Sequence, residues 1–146
     1  MNILKYRKQI KWFLVVSWMI VIFIFSSEPN SGAHTYNIIG QIFPNIKNGI
    51  ILETINFFIR KGAHLTEYFI LSILVYSLTK EYTSKEKRVI FVCIITCFLY
   101  SITDEFHQSF VTGRTGTFKD CLIDTSGSII FTFLNILHRK KLSHKR

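Results

Sequence analysis

The chain has 146 residues, 49% of them hydrophobic and 18% charged, with 14 Phe and a mean hydropathy of +0.29. That length gives one domain, and that composition leaves too much apolar surface for water alone, so a lipid solvent is expected. The net charge of +9 comes without any nucleic-acid recognition motif, and its residues sit against the ends of apolar runs, so nucleic acid is not an expected partner.

The first apolar run, Trp12 to Phe25, has no polar stripe of the kind a surface helix carries. With Ile10, a snorkelling Lys11 and Ser26 it predicts a retained membrane span over about 12–27. The rival reading is a cleaved signal peptide, but no small-x-small cleavage site follows. Residues 26–61 read as a loop with turn signals at Pro29-Asn30, Ser31-Gly32 and Pro44-Asn45. Inside it, Ile50, Ile51, Leu52, Ile55, Phe58 and Ile59 oppose Glu53, Thr54 and Asn56, which predicts a short interfacial helix.

Further spans are predicted over 63–79, 89–103 and 121–137. The fold class is therefore all-α, a polytopic membrane domain over residues 1–146 with four transmembrane helices. Basic groups flank these runs at Lys5, Arg7, Lys8 and Lys11, at Lys80, Lys85, Lys87 and Arg88, and at Arg139, Lys140, Lys141, Lys145 and Arg146. By the positive-inside rule they lie on the cytoplasmic side, so both termini are cytoplasmic and the chain is a multi-pass protein of the cell membrane. Cys93, Cys97 and Cys121 show neither zinc spacing nor a disulfide framework and read as small buried residues.

This topology brings two polar clusters to the extracytoplasmic face. Arg60, His64 and Glu67 share one helical stripe, next to Lys61. Asp104, His107 and Gln108 share a face, next to Glu105, if the third span runs on past the membrane edge. Arg114, Asp120 and Asp124 follow, with Asp124 one turn deeper than Asp120. His64, Glu67, Asp104 and His107 are candidate acid/base groups or metal ligands; Arg60, Lys61 and Arg114 suit phosphate or carboxylate. Duller roles exist for each. Asp120 with Thr117 forms a helix-capping pattern, Asp124 could pair with Arg60 or Arg114, and His64 with Glu67 could be a plain interfacial pair. Gly127, between Ser126 and Ser128, reads as close helix packing. No spacing identifies a particular metal or cofactor.

Three ordered motifs carry a resemblance. They are Arg60-Lys61-Gly62-Ala63-His64-Leu65-Thr66-Glu67-Tyr68, the run from Asp104-Glu105-Phe106-His107-Gln108 to Gly113-Arg114, and Asp120-Cys121-Leu122-Ile123-Asp124-Thr125-Ser126-Gly127, after a Phe25-Ser26-Ser27 that ends the first span. With them the chain resembles the VanZ-like family of small bacterial membrane proteins, departing at Glu28, Thr112 and Ser128 but at no ionisable residue of the pattern. The resemblance implies an envelope role in tolerance of teicoplanin-type glycopeptides. It fits membrane lipids and a lipid-linked cell-wall precursor or a lipoglycopeptide antibiotic as partners. It implies no settled reaction, so an accessory binding protein and an enzyme acting on a phosphate-bearing headgroup both stand.

Overall fold

A computed structural model describes residues 3–46 and 48–143. Lys145 and Arg146 of the expected basic tail lie outside the described residues. Five helices follow in order: α1 (Ile3–Ser26), α2 (Ser31–Ile42), α3 (Gly49–Thr79), α4 (Glu86–Gln108) and α5 (Phe118–Ser143), with no strand among the described residues.

Side-chain contacts fix how the long helices run. At one pole, Lys11 near the start of α1 meets Glu81 just past α3, and Arg139 near the end of α5 meets Glu86 at the start of α4. At the other, Ser26 at the end of α1 meets Asp104 near the end of α4, and Lys61 of α3 meets Asp120 at the start of α5. Thus α1, α3, α4 and α5 alternate in direction, and the basic groups and the polar clusters occupy opposite ends.

The core shows how these sequences specify the bundle. Val15 and Ile22 of α1 are two turns apart and buried, while Phe13, Ile20 and Ile24 between and beside them stay exposed. A helix apolar all round whose outer face contacts no protein is what a hydrocarbon solvent selects. The inner stripe packs on Tyr68, Leu71 and Val75 of α3 and on Val89, Cys93 and Cys97 of α4. Small residues seal α3 against α5: a Cβ at Gly127 would run into the Leu65 carbonyl oxygen, and Ser128 donates to Ser72 Oγ over 3.1 Å. The close approach expected at Gly127 is present. All three cysteines are buried and unbridged.

Three expectations need correction. Three helices, not four, are long and apolar enough to cross a membrane: Tyr6–Ser26, Glu86–Gln108 and Phe118–Leu142. The second predicted span falls short because Arg60, Lys61, His64 and Glu67 dilute the apolar content of α3. The interfacial helix is not a separate element either. Residues 50–59 are the opening turns of the 31-residue α3, capped by the Asn48 side chain, which accepts from Ile50 N. No helix-stopping residue other than Gly62 stands between the two predicted pieces, and one glycine costs only about 1 kcal/mol in a helix. Finally, the first loop contains α2. Its turn signals hold at Pro29-Asn30, where Asn30 adopts a left-handed φ of 52° immediately before the helix, and at Pro44-Asn45, where Ile46 N donates to Phe43 O over 3.0 Å; Ser31-Gly32 opens α2 instead.

Candidate functional site

The polar pole encloses a cavity of about 380 Å³ walled by α3, the 109–117 segment and the start of α5. Arg60, Lys61, Arg114 and Lys119 bring cations to its wall against a single carboxylate, Asp120, while His64 and Gln108 lie deeper and Phe57 and Ile123 supply apolar surface.

The 109–117 segment carries Arg114 into position. Gly113 has a φ of +76°, and a Cβ there would collide with the Asn30 side chain. Asn30 N donates to Thr112 O over 3.1 Å, so the α1–α2 turn and this segment hold each other. Arg114 Nη2 then donates to Phe25 O at 3.0 Å and to Ser31 Oγ at 2.7 Å. Its Nε and Nη1 are buried without an acceptor. Burial, and then the charge of nearby Arg60, lower the Arg114 pKa from its ordinary value. Arg60 itself lies against Gly32, where a Cβ would come within 2.7 Å of its Nη1. Two guanidinium groups therefore converge on one cavity.

Lys61 is engaged with Asp120 at 2.5 Å, a part-buried pair. The expected capping pattern is half made. Asp120 N donates to Thr117 Oγ1 at 3.3 Å, but the reciprocal donor, Thr117 N, goes to Glu105 Oε2 at 3.0 Å. Glu105, predicted as a binding residue, thus fastens the start of α5 from a buried position and does not line the cavity.

Below the cations sits a buried acidic cluster. Asp104 and Asp124 are 2% and 1% exposed. Asp104 Oδ2 accepts from Ser26 Oγ at 2.8 Å and from Gln108 Nε2 at 3.0 Å, whereas its Oδ1 has no partner. Asp124 Oδ2 has none either. His64 Nδ1 stands 3.3 Å from Glu67 Oε2, within ion-pair range but without hydrogen-bond alignment, which is why both atoms remain unsatisfied. One ligand atom each from His64, Asp104 and Asp124 lie within 4.8 Å of one another, so these three could hold a metal ion.

The structure therefore brings together Arg60, Lys61, His64, Glu67, Asp104, Gln108, Arg114, Asp120 and Asp124, and parts two predicted members from them. Glu105 is one. The other is His107, one residue off the Asp104–Gln108 stripe, whose Nε2 is 3.0 Å from Ser27 Oγ and whose ring stacks on Phe23 of α1 at 4.3 Å. Asp124 makes no pair with Arg60 or Arg114; it faces the cluster with His64 instead. Sequence reasoning missed Ser26, Ser31, Lys119 and Tyr68, whose buried hydroxyl has no partner. Lys119 did carry a signal: a cation in the first turn of a helix opposes the dipole.

The model of a known family, described as VanZ/LLP1, matches residues 11–139. The chain belongs to the VanZ/LLP1 family. The match runs from Lys11 at the basic pole to Arg139 at the same pole, so it takes in every residue of the cavity and of the cluster beneath it. No curated protein and no solved structure matches the chain.

Proposed function

We propose that this VanZ-like membrane protein binds the phosphate of an anionic headgroup in its polar cavity, on the outer face of the bacterial cell membrane. The observation that carries the reading is Arg114, whose buried Nε and Nη1 reach no protein acceptor at the cavity wall, with Arg60 beside it. A buried donor left unmade is costly, and each free N–H of a guanidinium can make a charge-assisted bond to a phosphate oxygen. Exposed Phe57, Phe58 and Phe118 near the cavity offer apolar surface suited to acyl or prenyl chains.

The orientation belongs to the same proposal. The pole holding Arg7, Lys8, Lys11, Arg88 and Arg139 faces the cytoplasm by the positive-inside rule, α3 makes a fourth crossing beside the three apolar helices, and both termini are inside. A lipid-linked cell-wall precursor, or a lipoglycopeptide antibiotic, then meets the site from the outer leaflet. The resemblance to VanZ supports a role in teicoplanin tolerance.

The test is a titration of purified protein in detergent micelles with a polyprenyl monophosphate, alongside neutral phosphatidylcholine. Saturable binding of the phosphate lipid alone, weakened at least about tenfold in Arg114→Gln and in Arg60→Gln, is expected, since each substitution removes about 1.5–3 kcal/mol of charge-assisted bonding. Equal affinity in wild type and both variants would end the reading. Teicoplanin susceptibility of a sensitive host expressing the same proteins at matched levels then tests the resistance role separately.

A second reading has its own observation, the His64–Asp104–Asp124 cluster under the cavity. There the protein is an enzyme acting on the same headgroup, with those side chains as acid, base or metal ligands. Asp104→Asn that keeps lipid binding but abolishes headgroup turnover selects this reading over the first.

A further inference from the structure

We infer that His64, Asp104 and Asp124 form a binding site for one divalent metal ion of the zinc or manganese class, at the floor of the cavity. The inference rests on this cluster alone and stands whichever headgroup the cavity takes.

The unmade bonds come first. Asp104 and Asp124 each keep one buried carboxylate oxygen without a donor, and among the described residues neither forms an ion pair. Buried carboxylates are normally paired or bound to metal. Two Asp carboxylates with a neutral imidazole carry a charge of −2, which a divalent cation balances.

The arrangement around the cluster is that of ligands held in place. Asp104 has its Oδ2 fixed by Ser26 and Gln108, from α1 and from one turn further along α4, and this leaves Oδ1 for the ion. Glu67 Oε2, 3.3 Å from His64 Nδ1, stands where metal-bound histidines commonly have a carboxylate neighbour. Ligand bonds of about 2.0–2.2 Å bring donor atoms to roughly 3–4 Å from one another, so small side-chain rotations close the separation of up to 4.8 Å.

One imidazole nitrogen and two carboxylate oxygens suit zinc or manganese; no thiolate is among them, which argues against copper(I) and iron–sulfur centres. Three protein ligands leave coordination positions open. His64 lines the cavity, so an open position there faces the space that Arg60 and Arg114 border. A water or an anionic oxygen is the natural occupant.

The experiment uses full-length protein in detergent, with any affinity tag removed, stripped by chelator and titrated with Mn²⁺ by electron paramagnetic resonance and with Zn²⁺ by calorimetry. One equivalent per chain is expected for at least one of the two ions. Asp124→Asn and His64→Gln should each weaken it at least a hundredfold, and Glu67→Gln about 10–100-fold. Melts in excess chelator control for folding. Asp124→Asn removes a buried charge, so it should unfold no earlier than wild type there and lose the stabilisation that added metal gives the wild type. Absence of stoichiometric binding by both ions, or binding unchanged in Asp124→Asn, overturns the site. Arg114→Gln should retain the metal, so failure of headgroup binding and failure of this site are read separately.

Discussion

Ser26, the last residue of α1, donates its hydroxyl to Asp104 Oδ2 across 2.8 Å, and both side chains are buried. One bond therefore ties the end of the first helix to the acid at the centre of the site. Ser26→Ala should lower unfolding stability by about 1–3 kcal/mol, because the carboxylate keeps only the Gln108 donor. Ser109→Ala is the control: that hydroxyl is exposed and bonds only to Phe106 O within its own turn, so its change should stay within about 0.5 kcal/mol. Denaturant titration in micelles reads both.

Two glycines of the motifs should respond in opposite ways to alanine. Gly127→Ala drives a methyl group into the Leu65 backbone, where neither helix can yield locally, and should cost about 1–3 kcal/mol or more. Gly62 is exposed on α3 with nothing within 4 Å of an added Cβ, so Gly62→Ala should stabilise by up to about 1 kcal/mol. Paired melts of the two variants check this.

At the basic pole, Glu81 accepts from Lys11 at 2.5 Å and from Arg7 at 3.2 Å, and the Lys11 bond leads the causes that hold its pKa below the ordinary 4.5. The folded pKa lies below the unfolded one, so the unfolded state binds the proton first as pH falls. The contribution is complete above pH 4.5 and fades as pH drops through the lowered folded value. Lys11→Gln should flatten that acid limb, visible in Tm measured from pH 6 down to pH 3.

Cys93 and Cys97 are fully buried and Cys121 nearly so. A maleimide reagent should label none of the three in the folded protein within the time that denatured protein labels completely. Rapid labelling of any one of them under native conditions would contradict this packing.

Much of this molecule was readable beforehand, because its strongest signals are local. Apolar runs bounded by basic residues gave the long helices, and i, i+4 spacing gave the Arg60–His64 and Asp104–Gln108 stripes. What the sequence hid depends on neighbours. His107 differs from Gln108 by one position, about 100° around α4, and only the packing of α1 decides that it stacks on Phe23. Asp124 looked like a partner for arginine, since linear order says nothing about which helix its face meets. The start of α2 was masked by turn residues, and the break expected after Ile59 does not exist because charge interrupts hydropathy without interrupting a helix.

If α3 makes the proposed fourth crossing, its unbroken length also acts as a ruler. From Arg60 to Thr79 it climbs roughly 28 Å at about 1.5 Å per residue, close to the ~30 Å hydrocarbon layer. The guanidinium wall and the lysine-bearing far end are thus held at a fixed separation matched to one bilayer thickness. In a thinner or thicker membrane the chain must tilt or the lipids must deform, and either shifts the mouth of the cavity relative to the headgroups. Lipid chain length would then tune access to the site without touching a single residue in it.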